Sequence, residues 1–103
     1  MNLSQPIEFQ WDKGNIDKNS VRYGVGNEEI EEAFSDAKNK LSKDQLHSKS
    51  EDRFILLGKT VSGRLLFIAF TLWGNKVRVI SARNLSRKDR IFYYEKTIKD
   101  TKI

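Results

Sequence analysis

The side chains in this sequence best suited to chemistry are cationic. Arg53, Arg64, Arg78 and Arg83 all lie in or beside apolar runs, Phe54 to Gly58, Arg64 to Leu72 and Lys76 to Arg83. A guanidinium stays protonated at physiological pH and donates two parallel hydrogen bonds to phosphate oxygens. Such groups gathered around a nucleic-acid phosphodiester would hold the pentacoordinate phosphorane formed when a hydroxyl, such as a ribose 2′-hydroxyl, attacks. A base must then remove the hydroxyl proton, and an acid must protonate the leaving oxygen. That reaction needs neither an enzyme nucleophile nor a metal. Two candidate bases precede Arg53. They are His47, with an intrinsic pKa near 6.5, and Glu51, a carboxylate that partial burial would favour as a base and neighbouring arginines would disfavour. His47 is the better placed in pKa; Arg83 and Arg78 lead as phosphate-binding groups, ahead of Arg53 and Arg64. Lys59, Lys76, Ser81 and Arg87 flank them as nucleic-acid contacts. Plainer readings stand beside these: His47 as a surface side chain, Glu51 and Arg53 as members of exposed ion pairs, Ser81 as a small packing residue.

Charge favours a polyanionic partner. The net charge is +5, unevenly distributed: residues 1–52 hold 7 basic against 11 acidic side chains, whereas 53–103 hold 12 against 3. Each phosphate neutralised by a lysine or arginine releases condensed counterions, so nucleic acid leads the expected partners, with an acidic protein also compatible. The chain has no cysteine and a single histidine, which excludes a disulfide framework, a thiol nucleophile and a Cys/His zinc site. No cofactor is implied. The first ten residues lack a basic head followed by an apolar stretch, and no segment reaches the ~20 apolar residues that span a bilayer, so a cytoplasmic protein is expected.

The elements that must position these groups follow from periodicity. Ile7, Phe9 and Trp11 alternate with polar neighbours, the period of a half-buried strand. Asp12 caps an expected helix that Gly24 ends in a left-handed conformation. A second helix starts at Asn27, with Ile30, Ala33, Phe34 and Ala37 on one face and Glu28 and Glu29 at its positive end. The polar stretch Asn39 to Asp52 has room for a short edge strand. Three runs then form an antiparallel meander, with turns at Lys59 to Gly63 and Trp73 to Asn75. Ser86 and Asp89 match a capping box for a last helix with Ile91, Tyr94, Glu95 and Ile98 at helical spacing and with Tyr93 and Tyr94 as core or partner contacts. With 103 residues, the whole is expected to be one α+β domain.

A hairpin turning at Trp73 to Asn75 sets Phe70 opposite Arg78, Phe67 opposite Ser81 and Leu65 opposite Arg83, which makes Arg64 and Arg83 neighbours. The preceding turn brings Arg53 toward Arg78. Two basic clusters result, about 16 Å apart at ~3.3 Å per residue. Strict alternation, however, sends Arg78 and Arg83 to opposite faces, so either the strand bulges or one arginine reaches around an edge.

An ordered set of short matches covers about Phe9 to Tyr94. It comprises Trp11-Asp12, Asn19, Gly24-Val25, the helix Glu28 to Phe34 followed by Ser-Asp, His47-Ser48 with Glu51-Asp52-Arg53-Phe54, Gly63-Arg64-Leu65-Leu66, and Val77 to Arg83. In these residues the chain resembles the BrnT family, the Arg-Val-Ile-Ser-Ala-Arg segment being the most specific piece. The resemblance implies a RelE-like fold and a ribonuclease toxin. It also implies neutralisation by a BrnA-like antitoxin, with which the toxin represses its own promoter, touching operator DNA only through the antitoxin, in an expected heterotetramer. Three positions depart from the family pattern: Asn15 replaces a basic residue, Tyr23 a histidine, and Thr71-Leu72-Trp73 a Thr-x-Arg. A non-catalytic nucleic-acid-binding module, or a decayed toxin that only binds its antitoxin, therefore remains an alternative.

Overall fold

Five strands form one mixed sheet in the order β1-β5-β4-β3-β2: β1 (Glu8–Phe9), β2 (Lys40–Lys43), β3 (Phe54–Lys59), β4 (Leu65–Trp73) and β5 (Lys76–Asn84). The computed structural model describes residues 8–18, 23–48 and 50–102, and of these every side chain except those of 47 and 95–102. The expected meander is present, β3-β4-β5 pairing antiparallel, and the Asn39 to Asp52 stretch supplies β2 as an edge strand. The first strand pairs in parallel with the last, Glu8 with Lys76 and Phe9 with Val77. Two helices complete the described fold, α1 (Asn27–Phe34) and α2 (Arg87–Lys102), giving the expected α+β class. The helix expected from Asp12 to Gly24 falls partly on residues 19–22, outside the described ones. Turns occupy Lys13 to Asp17, and Gly24 has the anticipated positive φ of 67°. No described helix is long and apolar enough to cross a membrane.

Alternation on β3, β4 and β5 makes two apolar faces of different quality. The first collects Leu56, Leu66, Ile68, Phe70, Val77, Val79 and Ala82, all buried, against Ile30, Ala33 and Phe34 of α1. Each of these side chains larger than alanine contributes on the order of 1.5–3 kcal/mol through removal from water. Phe34 meets Phe70 and Phe9 edge-on, with ring centroids 5.0 and 5.2 Å apart. The sheet comes closest to α1 at Gly58, where a Cβ would stand 2.5 Å from the Ala33 carbonyl oxygen.

The second face is covered only at one end. There α2 inserts Tyr93 among Leu57, Leu65 and Leu85. The Tyr93 hydroxyl donates to Asp36 Oδ2 at 2.6 Å, and the Lys59 amide donates to the same oxygen at 2.9 Å. Burial, followed by the Asp36 bond, raises the Tyr93 pKa, so the phenol remains a neutral donor. Of the two tyrosines expected as core or partner contacts, Tyr93 is the buried one, while Ile91 and Tyr94 are exposed. The Ser86 cap holds, its hydroxyl accepting from the Asp89 amide at 3.1 Å.

Replacing Gly58 with alanine forces α1 away from β3. The expected cost is ~1–3 kcal/mol, the range for overpacking, read as a lower midpoint in urea denaturation with an unchanged slope.

Candidate functional site

Cross-strand partners share a face of the sheet, and on β4 the residues Phe67, Ala69 and Thr71 alternate onto the second, partly covered face. Their partners on β5 are Arg83, Ser81 and Arg78, so these three side chains lie on that face as well. Between them the ladder shifts: Val79 pairs with Phe70 and Ser81 with Ala69, leaving Ile80 as an extra residue. This β-bulge resolves the parity conflict seen in the sequence. It also corrects the expected register: Arg78 falls within one residue of its expected partner, whereas Ser81 and Arg83 are two residues off, because the bulge adds a step that no turn pattern announces. The rows of Arg78 and Arg83 stand four β4 residues apart, about 13 Å at ~3.3 Å per residue.

Asn15, 1% exposed, fixes the bulge from outside the sheet. Its amide nitrogen donates to the carbonyls of Gln10 at 2.9 Å and Val79 at 3.3 Å, and its oxygen accepts from the Asp12 amide at 2.8 Å. The turn so formed aims Asp12 at Arg78, the carboxylate accepting from Nη2 at 3.1 Å and from the Gly14 amide at 2.8 Å. A side chain at Gly14 would stand 2.9 Å from that Nη2, so the bare backbone admits the guanidinium. The Gly14 hydrogen bond first, and the Arg78 charge further down the order of causes, hold the Asp12 carboxyl below its usual pKa despite partial desolvation. Arg78 also lies over the Trp73 ring at 4.8 Å, and its Nε is buried with no hydrogen-bond partner among the described residues.

Arg83 is more available. Its guanidinium stacks 4.1 Å from the Phe67 ring centroid, donates to the Asn84 carbonyl at 3.1 Å and stands 4.0 Å from the Asp89 carboxylate, with 42% of the side chain exposed. Lys76, exposed and opposite Trp73, extends the line toward the hairpin, and Arg87 begins α2 at the other end, also exposed. Arg53 precedes β3 by one residue, and alternation puts it on the face of Ile55 and Leu57, level with Thr71 and hence with Arg78.

Other expected placements differ. Arg64 is not a neighbour of Arg83: it turns to the α1 side, donating to Gly24 O at 2.7 Å, Glu29 Oε1 at 3.1 Å and Asn84 Oδ1 at 2.7 Å. The turn after β3 pairs Leu57 with Phe67 rather than with Arg64, which leaves Arg64 in the loop, facing the acidic helix. Lys59 is drawn under α2, its ammonium 5.3 Å from the Tyr94 ring centroid. His47 ends a 3-10 turn, Gln45–His47, and its side chain lies outside the described residues; Glu51 is exposed. Ser48 returns their loop to Arg53, donating to the Asp44 carbonyl at 2.6 Å and accepting from the Arg53 amide at 2.9 Å.

Four contributors were not assigned a site role from the sequence. Asp12 was read as a helix cap, Asn15 as a departure, Phe67 as a strand residue opposite Ser81 and Asp89 as a cap partner. Only Asn15 carried a signal, as a neutral residue where a charged one was expected. Among the described residues no three His, Cys, Asp or Glu side chains come together as metal ligands. A larger cleft, about 620 Å³ along α1, is lined by Glu28, Glu31, Glu32 and Asp36 and so has the wrong charge for phosphate.

Fold and site together define a small α+β protein with one helix-covered sheet face and one half-open face bearing a line of cations. A family model described as the ribonuclease toxin BrnT of type II toxin–antitoxin systems matches residues 11–89, and the chain belongs to that family. Membership implies a ribonuclease toxin whose partner is a protein antitoxin. No match is found among curated proteins.

Asn15→Ala strands two carbonyls and an amide, and the expected loss is ~1–3 kcal/mol in chemical denaturation. Because the Asp12 pKa is depressed on folding, its contribution to stability is present above the unfolded value, about 3.9, and is lost as pH falls through the folded one. An NMR titration of Asp12 is expected to show a midpoint below that value, and Arg78→Ala to move it upward.

Proposed function

We propose that this protein is an endoribonuclease toxin with a RelE-like layout, cutting RNA through the ribose 2′-hydroxyl without a metal. It would be neutralised by a BrnA-like antitoxin that covers the basic sheet face and joins it in repressing their promoter. The observation that carries this reading is the alignment of Arg78, Ser81 and Arg83 on one half-open face by the bulge at Ile80.

Arg83, held flat on Phe67, grips the scissile phosphate and the charge that builds on it. Arg78, oriented by Asp12 and Trp73, takes a neighbouring phosphate, which must compete with the Asp12 carboxylate for the guanidinium. Ser81 offers a hydroxyl between them, and Arg53, Lys76 and Arg87 lengthen the track. Satisfied by Glu29, Gly24 and Asn84, Arg64 serves the fold, and Lys59 serves the docking of α2. His47 is the favoured base, with Glu51 second, both on the loop that Ser48 ties to Arg53. Asp12 is a poor base, since a lowered pKa weakens its hold on a proton.

The Asp12–Arg78 pair favours one rival, a module that binds nucleic acid without cutting it. Purified protein, freed of antitoxin, is expected to degrade total RNA in EDTA, and Arg83→Ala to slow this by ~10²–10³, the usual effect of removing one transition-state donor. Salt-sensitive binding with intact RNA would select the rival. Expression alone is expected to arrest growth, and co-expression of the antitoxin to relieve it.

A further inference from the structure

Past Arg83 the second sheet face runs into a groove of about 300 Å³ between the β2–β3 edge and α2. Ile55, Leu57 and Phe67 form its floor, Phe92 and Asp89 of α2 its wall, and Ser42 part of its rim. We propose that this groove seats a nucleobase of the RNA, the one joined to the phosphate that Arg83 holds, and that Asp89 makes it selective for guanine. The inference rests on the ribonuclease reading for the identity of the polymer.

Three features point to a base. The groove adjoins a guanidinium stacked 4.1 Å from one of its own floor residues, so cation and apolar slot stand side by side. A nucleotide presents the complementary pair, an anion and an aromatic plane, joined by a sugar. The floor is apolar and partly aromatic, the surface on which bases stack. Finally, the Asp89 carboxylate borders both parts, 4.0 Å from Arg83 and lining the groove. Lys40 of β2 also lines the groove, and Asp89 is the one carboxylate among the described lining residues, suited to the N–H donors of a base.

Selectivity follows from donor count. An ionised carboxylate only accepts hydrogen bonds. Guanine alone among the four bases carries two adjacent N–H donors on its Watson–Crick edge, N1–H and the 2-amino group, and meets both carboxylate oxygens. Adenine and cytosine place an acceptor ring nitrogen beside their amino group, and uracil flanks its single N–H with two carbonyls. Each of these turns a lone pair toward Asp89.

The test uses the full chain in two arms. In the first, the binding of guanosine, adenosine, cytidine and uridine 3′-monophosphates is measured by NMR. The expected result is guanosine 3′-monophosphate bound about tenfold tighter or better, the discrimination of one bidentate pair, with resonances of Phe67 and Phe92 shifted. Asp89→Asn is expected to collapse that ratio, and Phe92→Ala, at an exposed position, to weaken all four nucleotides while the protein stays folded by circular dichroism. In the second arm, the cut ends of RNA fragments are sequenced, with guanine expected at one fixed position relative to the cut and its enrichment lost in Asp89→Asn. Cleavage by the native chain without guanine enrichment, or enrichment that survives Asp89→Asn, overturns the groove proposal while leaving the nuclease intact. An absence of cleavage defeats the nuclease reading, and the nucleotide ratios then judge the groove alone. Nucleotides that leave the groove resonances unmoved, while an antitoxin shifts them, assign it to protein instead.

Discussion

The basic face exists because one residue too many has been threaded into β5. Without Ile80 as a bulge, the two-residue repeat of the strand would turn either Arg78 or the Ser81–Arg83 pair into the α1 core, where an unpaired guanidinium costs several kcal/mol. The extra residue is stable because Asn15 saturates the Val79 carbonyl beside it and ties it to the turn that carries Asp12. A neutral amide suits that position. It donates twice and accepts once inside a buried pocket, whereas an ammonium or guanidinium has no acceptor and would bury an unpaired charge there.

From this constraint follows a division of charge across the molecule. The acidic first half supplies α1, whose Glu29 engages Arg64 and whose Glu31 accepts from the Trp11 indole at 2.8 Å, so much of its charge works inside the fold. The basic second half supplies the meander and places Lys76, Arg78, Arg83 and Arg87 along one line. Of these, Arg78 alone among the described residues meets a carboxylate from the first half at hydrogen-bond distance. The nearest acid to Arg83, Asp89, stands at 4.0 Å on the partly covered face, where such a pair contributes little, about 0–1 kcal/mol. The face is therefore graded, with one guanidinium fixed by its own chain and another free to change partners.

Much of the architecture was legible in the sequence. Ile30, Ala33 and Phe34 announced α1, the three apolar runs announced the meander, and the parity of Arg78 and Arg83 even required a bulge or a detour. What stayed hidden shares one cause, that it depends on residues far apart in the chain. The parallel pairing of β1 with β5 has no local signature, and neither has the Asn15 contact with Val79. Register slipped because hairpin counting assumes an uninterrupted ladder. On α2 the pair Tyr93 and Tyr94 was legible as core or partner contact, but which of the two enters the sheet was not, because Tyr93 is selected by a partner, Asp36, 57 positions away. The site residues were easier to name than to arrange, since arginines are conspicuous while the groups that orient them, Asp12 and Phe67, look ordinary.

The separation between Asn15 and Val79, 64 positions, has a temporal side. A chain emerging from the ribosome can build α1 against β3 and β4 early, from neighbours in sequence. The last strand and its bulge can settle only after nearly all of the polypeptide is available, since loop closure over such a span precedes its reward. The cationic surface is thus among the final parts to be assembled, and a nascent or truncated copy lacks it.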